Sequence, residues 1–164
     1  MSALFRTLVF TVIAPGFWTV ALPYWVLPVG SGIAPGARRI GALVLFIGGA
    51  VLYVICAFWA FALVGGATPA PFDAPKKLVV RGPYRVVRNP MYWSVALIMF
   101  AEALSFRSRV LVEWAILFFS SSVIFVLLYE QPHLRRVFGA EYEEYCRRVP
   151  GWIPCRVMFR RIVP

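Results

Sequence analysis

Residues 40–64 contain 25 consecutive positions without a charged side chain. A transmembrane helix needs about 20 mostly apolar residues to cross a hydrocarbon core of ~30 Å. This run is the clearest span in the chain, and it rules out an ordinary soluble domain. Gly48 and Gly49 lie inside it, and small residues there let helices approach closely. Three further apolar segments follow the same logic. Residues 4–29 suit a span kinked by Pro15 and Pro23. Residues 91–106 reach only ~24 Å as a helix, so they either span a locally thinned bilayer or pair with the next segment as a hairpin. Residues 110–129 form the fourth segment, and its helix is expected to run on to Phe138, with Gly139 as C-cap. The expected fold is an all-α, polytopic membrane helix bundle of about four spans, with a C-terminal helical hairpin and a cytoplasmic cap. Residues 1–164 read as one integral membrane domain. The first segment has no clear small-residue cleavage site and reads as a retained helix rather than a signal peptide.

Hydrophobic residues make up 61% of the 164, and no polar half remains for a second domain. The formal net charge is +10. Because the cations flank apolar runs, membrane topology and anionic headgroups account for them better than nucleic acid does. With the N-terminus in the cytoplasm, Arg6, five cations before the third segment and seven arginines after the fourth share one side. Arg38, Arg39, Arg107 and Arg109 take the other. Both termini are therefore expected in the cytoplasm. Cys56, Cys146 and Cys155 have no CxxC spacing and read as reduced thiols. His133 is the only histidine and is expected in a solvated turn. No metal site is expected.

Chemistry concentrates in residues 76–93, KKLVVRGPYRVVRNPMYW. Lys76, Lys77, Arg81, Arg85 and Arg88 are cationic, and Tyr84, Tyr92 and Trp93 are aromatic. Gly82 permits close backbone approach, while Pro83 and Pro90 fix φ. Asn89-Pro90 reads as a helix start, with Asn at the N-cap and Pro at the first helical position. Residues 140–149 form a second short helix that places Tyr142, Tyr145 and Val149 on one face. By default, Arg81, Arg85 and Arg88 are topology cations, and the aromatics belong to an interfacial belt. Glu102 and Glu113 read as interfacial charges. No GxGxxG, GxSxG or HExxH occurs.

An ordered set of fragments then carries a resemblance. Lys76-x-Leu78-Val79-x-x-Gly82-x-Tyr84 precedes Arg88-Asn89-Pro90-x-Tyr92. Glu130-Gln131-x-x-Leu134, Phe138-Gly139-x-x-Tyr142-x-x-Tyr145 and Val149-Pro150 follow. Residues 76–154 resemble the isoprenylcysteine carboxyl methyltransferase and phospholipid methyltransferase superfamily. The resemblance implies an S-adenosylmethionine-dependent integral membrane methyltransferase with a cytoplasmic cofactor pocket. Its implied cofactor residues are Lys76, Leu78, Gly82, Tyr84, Asn89, Pro90, Tyr92, Glu130 and Gln131. Arg88, Tyr92 and Glu130 are the candidates for catalysis, with Arg88 orienting a substrate carboxylate or phosphate. Asn89 replaces the family's usual His, Gln131 the second acid of a Glu-Glu pair, and Lys76 a frequent His. The residues support the same chemistry directly. An acid binds the cofactor's amino group, free helix N–H groups bind its carboxylate, and aromatic faces favour its sulfonium. The acceptor would be a lipophilic molecule arriving sideways from the bilayer. Two other readings stay open. Tyr145-Cys146-Arg147-Arg148-Val149-Pro150 also resembles the ending of membrane sterol reductases, which use NADPH. A non-catalytic membrane protein that binds lipid or a partner would share the topology.

Overall fold

A computed structural model describes residues 2–26, 35–66 and 78–154. Lys76, Lys77, Cys155, the expected end of the first span at residue 29 and the prolines of residues 69–75 lie outside these residues. Helix α1 covers Ala3–Val26, α2 Ala37–Leu63, α3 Pro90–Phe106, α4 Arg109–Phe138 and α5 Ala140–Arg148. A 3-10 turn at Gly82–Arg85 precedes α3. The described residues contain no strand, as an all-α bundle requires. Helices α1, α2 and α4 have 24, 27 and 30 residues and are long and apolar enough to cross a membrane. At 17 residues, α3 is shorter.

Helix α3 is the central member of the bundle. Val95, Ala96 and Met99 pack between Tyr53 and Ala57 of α2 and Ala115 and Phe118 of α4, with Trp18 of α1 closing the cluster. Its small residues make this position tenable, because Ser94, Ala96, Ala101 and Ala103 leave room for neighbours on several sides. The approach of α2 is closest at Gly49. A Cβ there would lie 2.8 Å from the Ser94 carbonyl oxygen and 2.9 Å from the Ile98 side chain. Near the other end of α3, a Cβ on Gly41 would meet Leu104 at 3.6 Å, so the two helices run antiparallel. Helix α1 joins α2 through a hydroxyl pair, Thr11 and Tyr53, 2.9 Å apart. Large apolar residues such as Val12, Val20, Val44 and Leu128 point outward, as lipid-facing positions do.

Pro15 and Pro23 lie inside helix α1. Helix α1 runs through Pro15 and Pro23 by opening into wide i→i+5 turns at Phe17–Ala21, where the Thr19 hydroxyl donates to the Pro15 carbonyl at 2.9 Å. A second wide segment covers Ile55–Val64. A third, Val126–Glu130, carries α4 past Pro132, so the helix reaches Phe138 as expected. His133 therefore lies in a helix, half-buried and stacked on Tyr129 at 6.1 Å, rather than in a solvated turn. The turn between α3 and α4 is tight. Arg107 adopts φ 51° as the C-cap of α3, and the Ser108 side chain caps α4 by accepting from the Leu111 N–H at 3.3 Å. Gly139, at φ 52°, separates α4 from α5 as expected.

Any side chain at position 49 must displace backbone rather than a flexible neighbour. Gly49→Val is expected to cost about 1–3 kcal/mol through overpacking. Thermal unfolding of the detergent-solubilised protein checks this, with Gly48→Val as the control, because a Cβ on Gly48 meets nothing within 4 Å.

Candidate functional site

The site is assembled where the start of α3, the middle of α4 and the chain after α5 converge. Its floor is the segment before α3. Gly82 adopts φ +53°, and a Cβ there would lie 2.7 Å from the Trp59 ring, so the backbone rests directly on α2. This close approach is what Gly82 provides. Tyr84 follows in the 3-10 turn and is buried with Cys56, Ala60 and Val79. Its ring meets Phe61 edge-on at 5.5 Å, and it packs beside Cys56. Burial pushes the Tyr84 hydroxyl well above the ordinary phenol range, so it stays a neutral donor.

The chain beyond α5 is laced to the start of α3. The Arg88 N–H donates to the Pro150 carbonyl at 2.9 Å, and the Asn89 N–H to Gly151 at 3.2 Å. The Asn89 side-chain amide donates to the same Gly151 carbonyl at 3.1 Å, and the Trp93 indole N–H to Trp152 at 2.9 Å. Asn89 occupies the N-cap position, with Pro90 behind it, but its side chain makes no capping bond to the first turn. The expected side-chain cap is thus replaced by a bridge to the tail, and the Met91 and Tyr92 N–H groups have no side-chain cap. An amide N–H donates to a carbonyl, which gives Asn89 a role that its chemistry explains.

Helix α5 locks the arrangement from the other side. Tyr142, Tyr145 and Val149 form the buried face read from their spacing, and Leu78, Leu134 and Phe138 pack on it. The Tyr145 hydroxyl donates to the Tyr84 carbonyl at 2.7 Å. Burial raises the Tyr145 hydroxyl above its usual value, and burial raises Tyr142 to about 12. Arg88 reaches into this layer, where its Nη1 donates to the Cys146 thiol and its Nε is buried without a hydrogen-bond partner. The described contacts of its guanidinium are with α5 and the tail. Among the described residues, Cys56 and Cys146 are free thiols, and no group of three or more His, Cys, Asp or Glu that could hold a metal occurs.

The centre is a pair from two helices. The Tyr92 hydroxyl on α3 donates to Glu130 Oε2 on α4 at 2.8 Å. The other carboxylate oxygen, Oε1, has no hydrogen-bond partner among the described residues. Trp152 stands beside Tyr92 at 5.9 Å and meets Phe119 at 5.2 Å, while Phe119 also contacts Trp93 at 4.6 Å. Nearby lies an almost wholly apolar cavity of about 450 Å³, with Leu52, Val87, Pro90, Trp93, Trp152 and Ile153 among its walls. A carboxylate, a phenol and an indole thus meet close to an opening fit for hydrocarbon.

The structure brings Tyr92 and Glu130 into contact and places Asn89 and Pro90 directly beneath them. Gly82, Tyr84, Leu78 and Arg88 form the supporting layer, and Gln131 follows Glu130 half-buried. Lys76 lies outside the described residues. Sequence reasoning missed Gly151 and Trp152. The available signal was an aromatic residue directly after Pro150-Gly151, in a chain where Trp residues favour membrane surfaces.

This helical architecture, with its acid and aromatic pair at one end of the bundle, is that of an integral membrane protein of a known family. A model of the phospholipid methyltransferase family matches residues 37–141, and the chain belongs to that family. A probable protein-S-isoprenylcysteine O-methyltransferase of Oryza sativa subsp. indica is 36% identical over 89 residues, covering 51% of this chain and 44% of that relative. Protein-S-isoprenylcysteine O-methyltransferase B of Arabidopsis thaliana is 34% identical over 84 residues, covering 48% of this chain and 40% of the relative. The matched segment is thus less than half the length of either relative. No solved structure matches the chain.

The Tyr145 hydroxyl is the sole described donor to the Tyr84 carbonyl. Tyr145→Phe is expected to cost about 1–3 kcal/mol by leaving the Tyr84 carbonyl unsatisfied. A lower melting temperature, with Tyr142→Phe as comparison, checks this.

Proposed function

We propose that the protein transfers a methyl group from S-adenosylmethionine to a lipophilic acceptor that reaches the site from the bilayer. The acceptor would resemble either an isoprenylcysteine carboxylate or a phospholipid amine. The observation that carries this reading is the Tyr92–Glu130 contact near an apolar cavity. The two residues lie 38 positions apart, on different helices, and share one hydrogen bond, with Oε1 unpartnered among the described residues. That oxygen suits the cofactor's ammonium group, since hydrogen bonds to charged partners contribute about 1.5–3 kcal/mol. The uncapped N–H groups at the start of α3 suit its carboxylate. The faces of Tyr92 and Trp152 suit a sulfonium, at roughly 0.5–2 kcal/mol for a cation–π contact.

When bound, S-adenosylmethionine supplies a methyl group already activated for displacement. The chain's own contribution is then to align the partners and keep water away. Tyr92 orients the Glu130 carboxylate, and the tail bridge to Asn89 fixes the helix start beneath both. An ionised carboxylate acceptor needs no general base. An amine acceptor needs one only if it arrives protonated. Arg88 is engaged by α5, so it supports the site from beneath.

The reductase reading loses part of its motivation. Glu144 binds both Arg147 and Arg148, and Arg135 pairs with Glu143 at 2.9 Å, so three arginines suited to NADPH phosphates already have partners.

Isothermal titration of S-adenosylhomocysteine against the purified protein tests the proposal. Glu130→Ala is expected to weaken binding by at least about tenfold, the lower end of a lost charge-assisted hydrogen bond. Tyr92→Phe should weaken it less. Equal affinity for wild type and Glu130→Ala removes Glu130 from the site. Thermal stabilisation by NADPH but not by S-adenosylhomocysteine puts the reductase first, and stabilisation by neither favours a non-catalytic lipid-binding or partner-binding role.

A further inference from the structure

The end of the bundle opposite Tyr92 and Glu130 carries a second feature that methyl transfer does not use. Between the start of α2 and the α3–α4 turn lies a cavity of about 730 Å³. Leu45, Leu97 and Phe100 are among its apolar walls, and Arg38, Arg107 and Arg109 stand at its edge. The sequence assigns four arginines to this end of the spans, and three of them surround one opening. Their pairing is unequal. Arg109 is held by Glu113 at 3.1 Å, whereas Arg38 and Arg107 have no ion-pair partner among the described residues. Two uncompensated cations therefore stand over an apolar cleft.

The conformation of Arg107 is a second, independent observation. It is the only non-glycine residue with positive φ among the described residues, at 51°. Helices that end in this left-handed conformation usually place glycine or asparagine there. Arginine in this position accepts backbone strain at the rim of the cleft, and strained residues concentrate at ligand sites. The left-handed turn ends α3 abruptly and places a cation directly across from the start of α2.

We propose that this cleft binds an anionic phospholipid, with its phosphate between Arg38 and Arg107 and an acyl chain along Leu45, Leu97 and Phe100. Arginine suits a phosphate because its planar fork makes paired hydrogen bonds. A free inorganic phosphate would leave the apolar walls in contact with water. A zwitterionic lipid would bring its own cation to a place that already has two. Arg107 lies about 22 Å along α3 from Tyr92, at ~1.5 Å per residue, while Leu97 in the apolar wall lies one turn from Trp93 of the proposed acceptor cavity. The arginines at the far end carry the proposal, so it stands whether or not the methyl-transfer reading does.

Native mass spectrometry of the full chain in detergent tests this, with phosphatidylglycerol and phosphatidylcholine of matched acyl chains as probes. The wild type is expected to retain phosphatidylglycerol preferentially. Each arginine removed should weaken that retention about fivefold, the contribution of one cation near an anionic surface. Arg107→Gly removes the charge in a residue that favours this φ, so it should melt no lower than the wild type. Arg38→Gln, at an exposed position without an ion-pair partner among the described residues, provides a second route should the first variant fold poorly. An Arg81→Gln/Arg85→Gln control at the other end should leave retention unchanged. Equal retention of both lipids by the wild type overturns the proposal. So does unchanged phosphatidylglycerol retention in Arg38→Gln and Arg107→Gly, an equal loss in the control, or complete displacement of the lipid by inorganic phosphate.

Discussion

Three successive carbonyls after α5, those of Pro150, Gly151 and Trp152, hold the start of α3 in place. Backbone polar groups at the edge of a membrane must find partners, and a helix start has several that its own ladder cannot satisfy. Here the Arg88 and Asn89 N–H groups, just before the helix, find partners in a segment about 60 residues later in the chain. The clasp has two consequences. It fixes the height at which Tyr92 leaves the helix, and it brings Trp152 beside Tyr92 and the apolar cavity. Because Asn89 serves this bridge through both its backbone and its side chain, the first turn of α3 is left without a side-chain cap.

The two ends of the bundle are built differently. At one end, a layer of buried tyrosines and backbone bridges supports a carboxylate with one oxygen that has no hydrogen-bond partner among the described residues. At the other, a tight turn and three arginines surround an apolar opening. Between them, α3 makes close contact with α2 at Gly49 and packs small residues on its remaining sides. In this middle section a hydroxyl pair, Thr11 with Tyr53, attaches α1 to the rest.

Much of this was readable in the sequence wherever a residue's type dictates its use. The apolar runs gave the helices, and Gly139 marked the break after α4. The three-four spacing of Tyr142, Tyr145 and Val149 gave the buried face of α5. Tyr92 and Glu130 were expected to share a site, and they touch. What stayed hidden depends on distant partners. No local pattern says that Asn89 reaches Gly151 or that Arg88 reaches Cys146, because a side chain's type sets what it can bond but not which group folding brings near. His133 was misplaced although the helix expected to reach Phe138 already contained its position. The wide turns before Pro132 absorb the missing N–H, and the helix continues.

That same widening, at Val126–Glu130, closes with the Gln131 N–H bonded to the Val126 carbonyl five residues back. In a regular helix each residue turns the next by about 100°. The bearing of Glu130 toward Tyr92 is therefore set by how many residues are threaded through the loosened coil as much as by the acid itself. Shortening that coil by one residue would turn the carboxylate by about 100° out of line with Tyr92. The site is specified by a count as well as by a composition.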